Sequence, residues 1–550
     1  MPFCTLSEAK GMVIKKMNQL KIWKSASGIP LKTVYNSDDI ADLDEQKNLG
    51  LPGKEPYTRG IYENMYQGKL WTIRQFSGFA TPEETNKRYK YKYDQGETGF
   101  SISVDSVTEN GLDPNDPRAE DEVGQSGVNI CSLADMETLF EGLPIDKVST
   151  AVITSQWTSP TLAAMYFAMA EKRGISLKKI NGTSQNDPYV FTLCCNLIDC
   201  VTPPHLLRLS VDLIEWCAQN VPKWHPVSFA SYNYRENGCT ASQELGILFS
   251  NAVGYIEEEL KRNRLKIDDF ASGISFHLAA HNDFFEEIAK FRAARRMWYK
   301  LMKERYGARD PKSLAFRFHV QNSGSTLIYH QILNNTVRIA YQVLAAALGG
   351  AQSIHATGYD EPLCLPTEQS VLLSIRTQQI AQYETNIAAV TDPLGGSYYV
   401  EWLTNEVEKK SWEYFEKIEK KGGLLEVWQS GWIHREMANA MEERQKEIDN
   451  EETKIIGLNC FLMPEKPYQV PVFRPNPQST EFQAEKVKKL KRERDNQKVK
   501  ECLEVLREVS LKGENIMPAL MEAVKAYATL GEIHDVWRGI YPRWSAPIKY

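Results

Sequence analysis

Eight short runs rich in β-branched or apolar residues recur from residue 100 onward: FSISV (100–104), STAVI (149–153), KKING (178–182), VSFAS (227–231), GISFHL (273–278), LAFRFHV (314–320), QSIHA (352–356) and AAVTD (388–392). Between them lie stretches with apolar residues at helical spacing, SPTLAAMYFAMAEKRG and FFEEIAKFRAARRMWYKLMKERYG among them. This alternation constrains the chain to a parallel sheet, because parallel strands need a crossover element between them. Eight repeats over roughly 300 residues predict an α/β fold of (β/α)8 barrel type rather than an open sheet.

The flanks read differently. Residues 1–55 are polar, with Gly50, Pro52, Gly53 and Pro56 at their end, and predict an extended N-terminal arm. Residues 56–400 then form the barrel, and 401–550 a C-terminal helical region and linker. Within the latter, Pro464, Pro467, Pro471, Pro475 and Pro477 mark a connector, and the Lys/Arg/Glu-rich segment 481–510 predicts a solvated helix face.

Charge excludes some functions. With 65 basic and 71 acidic residues well mixed, the formal charge is -6, so no chain-wide attraction draws nucleic acid or acidic lipid. No run of about 18 apolar residues could cross a bilayer, and no signal-peptide pattern opens the chain, so a cytoplasmic location without membrane contact is expected. The ten cysteines include no CxxC and no zinc-ligand spacing, which predicts reduced thiols and no metal site.

The segments just after these runs carry the chemistry: DSVTEN, TSQW, TSQND, YNYRENG, AAHND, QNSGS, TGYDE and DPLGGS. A barrel gathers such segments at the C-terminal ends of its strands. HExxH, GxSxG and P-loop patterns are absent, so zinc hydrolysis, nucleophile-elbow and P-loop chemistry lack their usual supports. Gln185, Asn186, Asp187, Tyr232, Asn233, Gln321, Asn322, Gln352 and Ser353 can orient a polar substrate, but most are poor acids or nucleophiles at neutral pH. Such a mouth suits a cofactor that carries the difficult step. Upstream, in WTIRQFSGFATPEETN, Thr81, Pro82 and Glu84 predict a helix start with a capping box.

The segments MYQGKLWTIRQFSGFATPEETN, DMETLFEGLPIDKVS, GTSQND, FFEEIAKFRAARRMWYKLMKERYGARDPKS, RFHVQNSGSTL, LNNTVRIAYQVLAAALGGAQSIHATGYDE, DPLGGSYYVE and ATLGEIHDVW stand in one order over about residues 50–540. In these the chain resembles the large subunits of adenosylcobalamin-dependent acyl-CoA mutases, the methylmalonyl-, isobutyryl- and 2-hydroxyisobutyryl-CoA mutase family. The resemblance implies a barrel whose hollow axis admits the pantetheine arm of coenzyme A, and a radical 1,2-rearrangement of the acyl carbon skeleton. It implies adenosylcobalamin as cofactor. None of the nine histidines stands in the family's D-x-H-x-x-G cobalt-ligating loop, so a separate small cobalamin-binding subunit is implied as partner, and a GTPase chaperone is a further partner the family suggests.

Carried over position by position, the resemblance assigns Tyr62, Thr72, Arg74, Ser101, Ser275, Arg317, Gln352 and Ser353 to coenzyme A. Arginine forks at Arg74 and Arg317 suit phosphate oxygens. Gln185, Tyr232 and Gln321 match residues around the acyl and adenosyl groups, and Glu236 and Glu361 match carboxylates facing the corrin and ribose.

The departures bear on the substrate. Phe76 stands where the methylmalonyl enzymes have a tyrosine, and Cys195 where they have the arginine that grips the substrate carboxylate. Asn233 replaces a histidine, Gly273 an arginine, and His277 an aromatic residue; Ala151, Ile153 and His225 also differ. Burying an unpaired carboxylate costs on the order of several kcal/mol. The expected substrate is therefore an acyl-CoA without that carboxylate, isobutyryl- or hydroxyisobutyryl-like or bulkier. One alternative is an aryl- or alkyl-substituted succinyl- or malonyl-CoA read by a relocated cation such as Arg235. Another is a catalytically weakened homologue that binds acyl-CoA or acts as a regulator.

Overall fold

The computed structural model describes residues 23–119, 121–187, 189–190, 199–463 and 469–544. Its strands are all parallel: β1 (Thr72–Ile73), β2 (Gly99–Ser103), β3 (Ser149–Ile153), β4 (Gly182–Ser184), β5 (Trp224–His225), β6 (Val227–Ala230), β7 (Ile274–Ala280), β8 (Phe318–Asn322) and β9 (Ser353–His355). They form one sheet in the order β1-β9-β8-β7-β6 and another in the order β2-β3-β4-β5. Pro226, which has no N–H to give, separates β5 from β6, so the two make one interrupted strand position.

Backbone hydrogen bonds tie the sheets together at both seams. Ser77 N–H donates to the Ser101 carbonyl (3.2 Å) and Ser103 N–H to the Ser77 carbonyl (3.1 Å); across the barrel, Ser228 N–H donates to the Gln185 carbonyl (3.1 Å). Eight strand positions thus follow one another around a common axis, as the βα alternation predicts. Gly78 is required at the first seam, because a Cβ there would collide with the Ser103 carbonyl.

Helices α1 (Pro82–Asp94), α2 (Leu133–Leu139), α3 (Ser159–Lys172), α4 (Pro203–Asn220), α5 (Ala241–Lys261), α6 (Phe284–Lys300), α7 (Asn335–Leu348) and α8 (Glu368–Tyr383) each follow a strand position. The start of α1 is as expected in part: Thr81 Oγ accepts from Glu84 N–H and Pro82 opens the helix, but the reciprocal bond of a full capping box is not made. Strand residues alternate between the helices and the axis. Thr150 points outward, where Tyr166 of α3 donates to its Oγ1 (2.9 Å), and Phe276 points outward to stack on Phe316 (centroids 4.0 Å) and meet Trp298 of α6 (4.9 Å).

Three strand expectations need correction. AAVTD (388–392) overlaps the 3-10 turn Ile387–Ala389 and holds no strand, since Asn386 before it and Asp392 at its end take left-handed backbone conformations that break an extended run. The position is filled at the other end of the barrel sequence by β1, only two residues long. KKING and LAFRFHV also run early: pairing begins at Gly182, and Pro311–Leu314 is a helical turn.

Helix α9 (Tyr398–Glu419) packs on α5 and α6. Further on, α10 (Asn496–Lys512) packs on α11 (Met517–Lys525), which packs on α3. Within the charged stretch Val487, Val499, Cys502 and Leu506 are buried while most charges face outward, as expected of a solvated helix face. The seven described cysteines are free thiols. No helix among the described residues is long and apolar enough to cross a membrane.

Candidate active site

A cavity of about 210 Å³ opens at the N-terminal ends of the strands. Its wall includes Tyr62, Thr72, Arg74, Ser275, Arg317, Gln352 and Ser353, seven of the eight residues expected to contact coenzyme A. Lys69, Ser149, Thr183, His225 and His319 join them, so three cations and no carboxylate line the cavity. That balance favours a ligand carrying several negative charges.

Arg74 is half-buried, and its accessible surface opens onto this cavity. It shares a short hydrogen bond with Ser149 Oγ, and its Nε has no partner. Burial pulls the guanidinium down to about 10, against the opposing field of Glu97. Gly99 leaves room for it, because a Cβ there would lie 2.7 Å from Thr72 Cγ2 and 3.1 Å from Arg74 Nε. Glu97 itself is committed to Lys92 (2.8 Å, both fully buried) and cannot neutralise Arg74 at close range.

Above the cavity, inward positions line the axis. Ser101, the eighth residue of the coenzyme A set, lies here rather than in the cavity wall; it is fully buried and its Oγ is unpartnered. Next come Phe76, His277, His319 and His355, with ring centroids 5.8, 6.0 and 4.8 Å from Phe76 to the three histidines in turn. His319 Nδ1 lies 2.8 Å from Ser353 Oγ, and His355 Nδ1 accepts from the Phe76 N–H (3.1 Å), which places the His355 proton on Nε2. Burial holds all three neutral at pH 7: His277 at about 4, His355 at about 3, and His319 well below its ordinary value. His225, at the cavity wall beside Gly273, donates from Nδ1 to the Gly273 carbonyl (3.1 Å) and is likewise lowered to about 4 by burial.

At the C-terminal face Gln185, Tyr232, Gln321, Glu236 and Glu361 converge. Tyr232 stacks on His277 (5.5 Å, 14°), and the Gln185 Oε1 is buried without a partner. Glu236 accepts from Ser325 N–H (2.7 Å) and from Ser323 Oγ. Gly324 keeps the centre of this group open: a Cβ would stand 3.4 Å from Glu236 Oε2, 3.5 Å from the Tyr232 hydroxyl and 3.6 Å from Glu361 Cγ. Burial of its carboxyl first, then Asp360 and Glu236, raises Glu361 to about 7, although the residue as a whole is exposed at the rim. Burial raises Glu236 as well.

The family model for methylmalonyl-CoA mutase matches residues 24–543. The chain belongs to the methylmalonyl-CoA mutase family. It is 38% identical over 544 residues to the 2-hydroxyisobutanoyl-CoA mutase large subunit of Aquincola tertiaricarbonis, covering 96% of this chain and 94% of that one. It is 37% identical over 528 residues to the methylmalonyl-CoA mutase of Rhizobium meliloti strain 1021 (96% and 73% covered) and 36% identical over 523 residues to the mitochondrial methylmalonyl-CoA mutase of Homo sapiens (94% and 68%). The chain is thus an acyl-CoA mutase, an isomerase of a family that uses adenosylcobalamin.

Within this mutase fold, three polar residues expected at the mouth turn away from it. Asn186 donates to the Ser210 and Pro226 carbonyls (3.0 Å each), Asp187 accepts from Asn251 Nδ2 (2.8 Å) and the Ala230 N–H (3.0 Å), and Asn322 donates to Gln342 Oε1 (3.0 Å). They tie loops to the helices behind. Asn233 is half-buried beside Tyr232, Ala151 is buried in β3 and Ile153 half-buried at its end. Cys195 lies outside the described residues. Arg235 is no relocated clamp: it is buried among α5 and α6, donating to the Cys239 carbonyl (2.7 Å) and Glu287 (3.3 Å). The sequence candidates do not include Lys69, His319 and His355; the period-two spacing from Arg317 and Ser353 is the signal that places both histidines on the axis.

Proposed function

We propose that the chain is the large, acyl-CoA-binding subunit of a two-component adenosylcobalamin-dependent mutase acting on an acyl-CoA with no free carboxylate on the acyl group. The observation that carries this reading is a column of unpartnered, enclosed polar atoms between a cationic cavity and an acidic rim: Arg74 Nε, Ser101 Oγ, His319 Nε2, His277 Nδ1 and Nε2, and Gln185 Oε1. Buried polar groups nearly always meet a partner, whether protein, ordered water or ligand. An extended chain with phosphates at one end and amides along its length matches that column, with Lys69, Arg74 and Arg317 at the phosphate end.

The acyl end would lie among Phe76, His277, Tyr232 and Gln321. Two buried cations near that end, Arg235 and Lys92, are committed to Glu287 and Glu97. A substrate carboxylate there would be buried without a counter-charge, which supports the monocarboxylic reading over a succinyl or malonyl derivative.

The C-terminal rim suits the cofactor, as Tyr232, Glu236 and Glu361 surround an opening that the missing Cβ of Gly324 preserves. Bound there, adenosylcobalamin would supply radical chemistry through homolysis of its cobalt–carbon bond. The chain's own residues would hold the acyl group, exclude water and keep the neutral histidines from protonating the substrate. The relative matched over 94% of its length is itself named a large subunit, which supports a separate small cobalamin-binding subunit.

Offering isobutyryl-CoA and methylmalonyl-CoA in turn to the reconstituted pair tests this: turnover of the first at least about tenfold faster than the second is expected. Phe76→Tyr should narrow that ratio, because the phenol restores a donor near the carboxylate position. An unchanged ratio would remove Phe76 from the account, and a methylmalonyl preference in the parent enzyme would refute the substrate assignment.

A further inference from the structure

His277 differs from the other histidines along the axis. His225, His319 and His355 each hold a hydrogen bond, to the Gly273 carbonyl, Ser353 Oγ and the Phe76 N–H. His277 is 4% exposed and neither ring nitrogen has a partner. Its register fixes where it points: on β7 it follows the inward Ser275 by two residues and pairs with Ala230 and His319. Its ring lies 5.5 Å from Tyr232, 5.8 Å from Phe76 and 5.0 Å from His319, and Gln321 is a polar neighbour that closes no well-formed bond to it.

A neutral imidazole presents one N–H donor and one bare nitrogen acceptor. Of the uncharged oxygen groups an acyl chain can carry, a hydroxyl answers both kinds, whereas a carbonyl or ether can only accept. A hydrocarbon answers neither and leaves the ring's polar atoms unmet. A carboxylate would need a cation, and burial keeps this ring uncharged at pH 7.

We propose that His277 is the specificity-determining residue of the acyl pocket and that it selects a hydroxylated, uncharged acyl group over the plain hydrocarbon of the same shape. This rests on the acyl-CoA reading above. It sets His277 apart from Phe76, which excludes the carboxylate, by giving the pocket a positive preference.

The test is calorimetric titration of the purified full chain with coenzyme A, isobutyryl-CoA, 2-hydroxyisobutyryl-CoA, 3-hydroxyisobutyryl-CoA and methylmalonyl-CoA. One of the two hydroxyacyl-CoAs should bind about tenfold or more tightly than isobutyryl-CoA. In His277→Phe that ratio should fall to within about twofold, with thermal unfolding and coenzyme A affinity as the controls for the fold; His277→Gln, with donor and acceptor kept, should retain part of the ratio. Coenzyme A binding with no hydroxyacyl preference, a preference for methylmalonyl-CoA, or a hydroxyacyl preference that survives in His277→Phe would overturn the inference while leaving the axis as the acyl-CoA site. Absence of any coenzyme A binding would overturn both readings.

Discussion

Lys290→Met is expected to destabilise the folded chain by about 3–5 kcal/mol, because it leaves two buried carboxylates without their main counter-charge. The Lys290 ammonium lies 2.8 Å from Glu244 and 2.5 Å from Glu287, donates to the Ala279 carbonyl (2.8 Å), and all three charged side chains are fully buried. Arg235 remains, but at 3.3 Å from Glu287 and 3.9 Å from Glu244 it cannot replace that contact. The loss would reach the site as well. Glu244 accepts from Ser231 Oγ (2.8 Å) and the Ala279 N–H (3.2 Å), which fixes the ends of β6 and β7 next to Tyr232 and His277. Urea denaturation measures the effect; a change below about 1 kcal/mol would mean the carboxyls are accommodated as neutral acids and the network is not what holds those strand ends.

Arg74→Met should do the opposite: weaken acyl-CoA binding about tenfold to a hundredfold and leave thermal stability unchanged or slightly raised. Arg74 has no carboxylate within ion-pair distance among the described residues, and its Nε is unmet, so the protein alone gains little from its charge. Methionine fills similar volume without that charge. The gain from the guanidinium therefore comes with the ligand, through charge-assisted bonds to phosphate. Paired calorimetry and thermal unfolding separate the roles. A strong loss of stability with unchanged acyl-CoA affinity would make Arg74 a structural residue.

The alternation of strand and helix segments made the barrel legible, because periodicity reports burial on a curved parallel sheet directly. β1 escaped the strand list: two residues between Trp71 and Arg74 give no period to read, and their pairing with β9 is a long-range fact. AAVTD misled for the converse reason, since β-branched content says nothing of the left-handed residues beside it. Among the site residues, Tyr62, Thr72, Arg74, Ser275, Arg317, Gln352 and Ser353 line one cavity. Composition alone could not have separated Gln185, which faces the axis, from its neighbours Asn186 and Asp187, which bind the protein behind; one residue of register decides it. The unmet polar atoms of Ser101 and His277 are invisible in sequence, because they depend on what every other side chain fails to reach.

The most direct measurement is a crystal structure of the chain bound to isobutyryl-CoA. The account predicts continuous ligand density along the barrel axis, phosphates at Arg74 and Arg317 on the N-terminal side and the acyl group between Phe76, His277 and Tyr232. A ligand bound elsewhere on the chain, with the axis filled only by solvent or side chains, would contradict it.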